Sequence, residues 1–297
     1  MSEAKTVLVS GASGLVGRAL CQRLSEKGYV VKTLGRNASS DAQWDLNAGT
    51  IDPGALTGVD CVVHLAGEPI AQRWTKQAKE RIMESRAKST ALLAQTILKE
   101  EKRPDFICAS GSNFYGYNRG GGLDESASSG EGFLAEVCRR WEGEAQPLIE
   151  AGVRTVFVRT GIVLSRFGGA LAKMLPPFKA GAGGRIGTGK QLMSWISLPD
   201  LVEIYIRAIE DPDLSGPINA VVPEAVTNSK FTKDLGEVIG RPTIFPLPAF
   251  VVKTLFGEMG QETVLADVGL VPQRLRDAGF NWRLPVLKEA LEDCLKG

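Results

Sequence analysis

The stretch from Thr6 to Gly17, Thr-Val-Leu-Val-Ser-Gly-Ala-Ser-Gly-Leu-Val-Gly, constrains the fold of this chain more than any other. Thr6 to Val9 is a β-branched and aliphatic run, the pattern of a strand buried on both faces, most often in a parallel sheet. Gly11, Gly14 and Gly17 follow at a three-residue spacing. Val16, Ala19, Leu20 and Leu24 then recur at helical spacing until Lys27-Gly28, a basic last turn with a glycine stop. Strand, glycine-rich turn and helix in that order form the context of a dinucleotide fingerprint. Glycine lets the turn close and lets backbone N–H groups approach a pyrophosphate, which the unpaired donors of the helix N-terminus then face. A tight strand-to-helix turn without a ligand is the alternative; placement at the first strand favours the nucleotide. The residues expected to hold it here are Gly11, Ala12, Ser13, Gly14, Leu15, Val16 and Gly17.

Composition narrows the class. A chain of 297 residues can bury a large α/β core. Lys+Arg 35 against Asp+Glu 34 leaves a net charge of +1, which supplies no electrostatic reason for a nucleic-acid or membrane partner. Met1 to Lys5 is polar and runs straight into the first strand, with no room for a signal peptide, and no apolar run approaches a membrane span. The expected location is cytoplasmic, provided no import sequence has been removed. Cys21, Cys61, Cys108, Cys138 and Cys294 are widely spaced and read as buried reduced thiols. Without a Cys-x-x-Cys pair, and with His64 the single histidine, no metal site is expected.

Along the chain, Tyr29 to Leu34 reads as a second strand ending at Gly35-Arg36. An acidic residue there would take ribose hydroxyls, whereas an arginine accommodates a 2′-phosphate. Gly35 and Arg36 therefore predict NADP(H) over NAD(H); a solvated loop arginine is the alternative. Trp44-Asp45-Leu46 reads as a short third strand, and Asp60 to Ala66 as a buried one followed by Gly67-Glu68. His64 lies inside that strand and reads as packed rather than catalytic. Lys76 to Glu101 is a long helix, and Asp105 to Ala109 the next strand. Ser110 to Gly116 is a polar turn beyond its C-terminal end, where α/β sheets place ligands. Arg119 to Gly122 reads as loop, Phe133 to Ala151 as one helix, and Arg154 to Val158 as a strand with Arg159 at its end. Leu171 to Phe178 is a helix broken by Pro176-Pro177. The glycine-dense Ala180 to Lys190 is either a cover over a pocket or a plain connection. Leu192 to Ile196 reads as a strand, Asp200 as the cap of the next helix, and Ile218 to Val222 as a last sheet strand.

This order resembles the extended short-chain dehydrogenase/reductases, and most of all an atypical branch of epimerase family proteins with an NAD(P)-binding fold. The matching stretches include Ser10 to Gly17, Leu65-Ala66-Gly67-Glu68, Arg73-Trp74, Glu84-Ser85-Arg86, the Trp-Glu pair within Val137 to Glu142, Val158 to Gly161 and Ser194-Trp195-Ile196. The resemblance implies an α/β fold: a doubly wound parallel Rossmann sheet over 1–165, whose last strand returns near 217–222, and a smaller C-terminal lobe mostly within 166–297. It also implies cofactor contacts through the glycine turn, Gly35-Arg36, Leu65, Ala66, Gly67, Glu68, Arg73 and Arg159, with Arg86 and Trp195 in the substrate pocket.

The same comparison exposes a gap. Members of the wider family use an Asn, a Ser or Thr, and a Tyr-x-x-x-Lys pair, in which Tyr moves the proton and Lys lowers its pKa. Here those positions fall on Arg86, Gly111, Leu134 and Cys138. Two function classes follow. One is an NADP(H)-dependent oxidoreductase of a small-molecule substrate, with Tyr115 as proton donor beside Ser110 and Ser112; a structural Tyr115 is the alternative. The other is a non-catalytic NADP(H)-binding sensor or regulatory scaffold. A sugar-nucleotide epimerase or dehydratase ranks below both, since Met193-Ser194-Trp195 replaces that group's Arg-Asp-Phe.

Overall fold

Residues 4–296 are described by a computed structural model. In strand β1 (Thr6–Ser10), Val7 and Val9 belong to one apolar cluster and Leu8 to another, all three fully shielded. That period of two on a strand covered from both sides explains its unbroken apolar sequence. Helix α1 (Leu15–Glu26), strand β2 (Val30–Gly35) and an antiparallel pair, β3 (Ala42–Asp45) and β4 (Thr50–Ile51), follow. Strand β5 (Cys61–His64), helix α2 (Lys76–Leu98) and strand β6 (Asp105–Gly111) continue the winding. A 3₁₀ turn at Ser112–Tyr115 leads to β7 (Asn118–Leu123), helices α3 (Phe133–Gly143) and α4 (Gln146–Glu150), and strand β8 (Thr155–Thr160).

The C-terminal half contains β9 (Ile162–Leu164), α5 (Gly169–Lys179), β10 (Leu192–Met193), β11 (Trp195–Ser197), α6 (Leu198–Glu210) and β12 (Gly216–Ala220). It ends with β13 (Val226–Thr227), α7 (Asn228–Ile239), α8 (Ala249–Met259), a π turn at Gly260–Val264, β14 (Asp267–Leu270), α9 (Gln273–Asp277) and α10 (Leu287–Lys296). The main sheet has eight strands in the order β12-β8-β6-β5-β1-β2-β3-β4, parallel except for the β3–β4 pair. The order reverses between β1 and β5, the switch point at which such sheets open a ligand crevice. A second sheet has four strands in the order β13-β10-β14-β7, and β9 pairs with β11 in a third.

Several elements differ from the sequence reading. The expected loop at 119–122 is part of β7, paired with β14. The expected single helix 133–151 is two, because Pro147 in the first turn of α4 supplies no N–H to continue α3. Helix α5 runs through Pro176 and Pro177 rather than breaking at them. Ser197, not Asp200, caps α6: its hydroxyl accepts from the Asp200 N–H, while the Asp200 carboxylate holds the backbone of Arg283 and Leu284. The last sheet strand begins at Gly216, ahead of the expected start at 218.

Candidate functional site

The glycines of the first turn do three different things. Gly11 has φ +73°, and a Cβ there would lie 2.8 Å from the Ala66 nitrogen, so it permits both the turn and the close approach of the β5 terminus. A Cβ on Gly17 would run into the Gly11 carbonyl. Gly14 meets only that carbonyl oxygen, at 3.2 Å, and is exposed. No side chain caps α1 and no acid lies in its first turn, so its N–H donors and dipole are free to face an anion over Gly14.

A groove of about 840 Å³ opens beyond the ends of β2 and β3. Arg36, Trp44, Asp45, Glu68, Ser85 and Lys88 are among the residues that line it. Arg36 is exposed and, among the described residues, has no ion-pair or hydrogen-bond partner. Lys88, by contrast, is tied to Glu84 at 3.0 Å. Glu68 is positioned by its backbone N–H, which donates to the Ser85 hydroxyl at 3.0 Å. Gly35 ends β2, Leu65, Ala66 and Gly67 follow directly on the end of β5, and Arg73 is exposed; none of the five is among the residues that line the groove.

Beneath the crevice His64 joins β1, β5 and α2. Its Nδ1 lies 2.6 Å from the Ser10 hydroxyl and its Nε2 2.9 Å from that of Ser89. The Ser89 proton is directed at the Ser85 carbonyl, 2.6 Å away, so Nε2 donates to Ser89 and Nδ1 accepts from Ser10. Burial, with the nearby Arg86 charge, lowers the His64 pKa to about 3. The packed, neutral histidine matches the sequence reading.

The residues expected to do chemistry are brought together, but with their polar atoms turned inward. Arg159 is 4% exposed and is bidentate to Glu142, with Nε to Oε1 at 2.9 Å and Nη2 to Oε2 at 2.8 Å. Burial opposes its charge, but Glu142 outweighs that and leaves the pKa raised. The Ser110 hydroxyl donates to the same carboxylate at 2.7 Å. The Tyr115 hydroxyl accepts from Arg159 Nη1 at 2.9 Å and donates to Asn219 Oδ1 at 2.8 Å, fully shielded from solvent. Burial raises its pKa. The expected proton donor and its Ser110 neighbour are thus internal members of a network, and Arg159 is an ion pair inside the fold, not an open cofactor arm. Ser112, on the 3₁₀ turn, keeps a hydroxyl with no internal partner among the described residues.

Arg86 is 7% exposed, 5.0 Å from the Trp141 ring centre, and donates through Nη1 to the carbonyls of Glu68 and Ile82, both at 3.0 Å. Its Nε has no partner, and burial lowers its pKa. It lies directly under Gly67, where a Cβ would come within 3.0 Å of the guanidinium carbon. It is therefore a buttress of the β5 terminus, not the wall of an open pocket. Trp195, the other expected pocket residue, is fully buried in the main core, on β11 where it pairs with β9. Leu134 and Cys138 are buried in α3, and burial pushes the Cys138 thiol up to about 11.

Three contributors had no role assigned from sequence: Glu142 and Asn219, which stood in matching stretches, and Glu262, which carried no signal. The Glu262 carboxylate accepts from the N–H groups of Phe133 and Leu134, both at 2.8 Å, and so caps α3 from the π turn at 260–264. Asn219 fixes its orientation through Nδ2 contacts to the carbonyls of Val271 and Leu123, at 3.0 and 3.3 Å.

Residues 7–222 match the family model described as NAD dependent epimerase/dehydratase family, and 247–294 match a domain of unknown function, DUF1731. An epimerase family protein of Mycobacterium bovis is 40% identical over 289 residues, covering 96% of this chain and 96% of that protein. The crystal structure of human epimerase family protein SDR39U1 (isoform 2) with NADPH superposes with a TM-score of 0.87 at 31% identity, covering 98% of this chain and 99% of the human one. A nucleoside-diphosphate sugar epimerase from Corynebacterium glutamicum gives a TM-score of 0.81 at 36% identity, covering 99% of this chain but 58% of that one.

Proposed function

We propose a function on one premise: the chain belongs to the NAD dependent epimerase/dehydratase family. Within it, the chain binds NADP(H) in preference to NAD(H) and acts as an oxidoreductase on a small-molecule substrate, with a proton path that does not use α3. The observation that carries the cofactor reading is Arg36, an exposed guanidinium with no partner among the described residues, which lines the groove at the end of β2. It fits a 2′-phosphate; the open face of Gly14 and the uncapped α1 fit a pyrophosphate. The NADPH in the human relative supports the same reading. NADP(H), when bound, supplies or accepts the hydride. The chain's own residues bind and orient it, and Ser112 is the hydroxyl still free at the sheet edge.

Fluorescence titrations test the preference. The parent should bind NADPH more tightly than NADH, and Arg36→Asp should lose about 10- to 100-fold in NADPH affinity, the value of a charge-assisted contact of roughly 1.5–3 kcal/mol. Equal affinity for both cofactors in the parent would sink it. A screen of aldehydes, ketones and quinones for NADPH oxidation then tests turnover.

A second reading, a cofactor-occupancy sensor without turnover, draws on the buried network. Tyr115, Ser110 and Arg159 all face internal partners, and Leu134 and Cys138 carry no suitable proton or charge. A parent that binds NADPH tightly and oxidises it with nothing in the screen favours this reading.

A further inference from the structure

Five large apolar side chains open to solvent fall between 244 and 256: Ile244, Phe245, Phe250, Leu255 and Phe256, at 71, 59, 70, 67 and 43% exposure. A concentration of this kind marks an interaction surface. Ile244 and Phe245 stand on the extended segment before α8, which is held in place by bridges from Gly184 to Ile244 and from Ile186 to Leu247; Phe250 is in the first turn of α8 and Leu255 and Phe256 in its second half, so the apolar surface wraps around the helix.

Its surroundings are basic. Arg185 lies between those bridges and donates only to the carbonyls of Gly187 and Thr188, so its charge is not neutralised. Arg241 and Lys253 have no ion-pair partner among the described residues. Lys233 is 3.8 Å from Glu237, a carboxylate it shares with Lys288 at 2.8 Å. A pocket of about 140 Å³, lined by Arg185, Lys233, Ser229, Thr232 and Thr243, opens beside Ile244. Thr232 is 3% exposed and its hydroxyl has no partner.

We propose that this face docks on an anionic phospholipid surface. The side chains of 244–256 enter the headgroup–acyl boundary, while Arg185, Lys233, Arg241 and Lys253 meet lipid phosphates. The whole-chain charge of +1 conceals this local excess. The same excess disfavours a second copy as occupant, since a two-fold contact would bring one basic rim against the other. No helix among the described residues is long and apolar enough to cross a membrane, so the contact is a lateral one. The proposal is independent of the cofactor reading.

The test is co-sedimentation of the full chain with vesicles of phosphatidylcholine alone and of equal parts phosphatidylcholine and phosphatidylglycerol. The chain should partition onto the mixed vesicles, weakly or not at all onto the neutral ones, and less as salt rises. Lys253→Gln and Arg185→Gln should each weaken partitioning roughly fivefold, the effect of one basic residue near the surface. Phe250→Ser with Leu255→Ser, both on exposed positions, should abolish it while circular dichroism is unchanged. Failure to bind mixed vesicles overturns the proposal. So does binding that ignores these substitutions, or light scattering that shows a dimer dispersed by the Phe250/Leu255 pair in a chain indifferent to vesicles.

Discussion

His64 shows how a single buried side chain sets a pH limit on this fold. Its pKa is about 3 in the native protein, because burial disfavours the imidazolium, against about 6.5 for the unfolded chain. Between those values the unfolded chain takes up a proton that the native one does not. Stability is therefore complete above about pH 6.5 and falls as pH drops, by roughly 1.4 kcal/mol per unit. The carboxylates whose pKa values are lowered, such as Asp41 beside Thr33 and Asp60 beside Thr6, lose their contribution only at lower pH, around their own titration. Urea unfolding at pH 6.5 and pH 5 isolates the histidine. The midpoint should fall in the parent and fall much less in His64→Asn, and an equal fall in both would reject the assignment. The Ser110–Glu142–Arg159–Tyr115–Asn219 chain makes the complementary point. A tyrosine after a strand end was legible as a polar group at the right edge of the sheet, but not the direction of its hydroxyl. That direction depends on Asn219, 104 residues away.

The β1–α1 unit was legible because its constraints are local: apolar residues on both faces of the strand, a glycine where φ is positive, and a helical period. Its glycines yield an element-level prediction. Gly14→Val should leave the unfolding midpoint nearly level and remove NADPH binding, since the new side chain projects into the space over the α1 N-terminus. Gly17→Val should lower the midpoint itself, because its Cβ has no room against the Gly11 carbonyl. Calorimetry and NADPH titration of both variants check this; matching losses of stability would contradict the division of roles. Most of the small sheet was not legible, for the opposite reason. β10 fell inside the strand expected at 192–196, which the structure divides between β10 and β11; β13 has two residues and β7 is Asn-Arg-Gly-Gly-Gly-Leu, so neither of these carries an alternating apolar pattern. β7 is defined by its pairing with β14, more than a hundred residues later, and nothing in either stretch announces the other. Among the candidate site residues, Arg36 and the glycines were readable for their local context. Glu262 was not, because an isolated acid on a surface and one that caps a distant helix look alike in sequence, and Glu142 was matched by its stretch without its Arg159 partner.

The usual chemistry of such sheets would be sought at the N-terminus of α3, and there a residue from much later in the chain closes the helix. Glu262 reaches from the π turn after α8 and accepts from Phe133 and Leu134, its own carbonyl accepts from Asn113 Nδ2 at 3.1 Å, and Glu258 pairs with Lys79 of α2 at 2.8 Å. The residues on both sides of the carboxylate are fixed: a Cβ on Gly132 would come within 2.9 Å of it, and Glu262 itself is 5% exposed. This makes the π turn part of the α3 cap, with a negative charge placed at the positive end of the helix. Glu262→Ala leaves two shielded N–H groups without an acceptor, a loss of about 1–3 kcal/mol. Glu262→Gln keeps the shape and one acceptor oxygen, so its loss should be smaller. The exposed Lys79–Glu258 pair should matter little by comparison, since such contacts contribute about 0–1 kcal/mol. Hydrogen exchange locates the effect: amides of Phe133 and Leu134 should exchange faster in Glu262→Ala, those of 249–264 should follow, and those of β1 should hold. A variant whose Phe133 and Leu134 amides stay protected, or whose midpoint does not move, would show that the π turn and α3 are not coupled through this carboxylate.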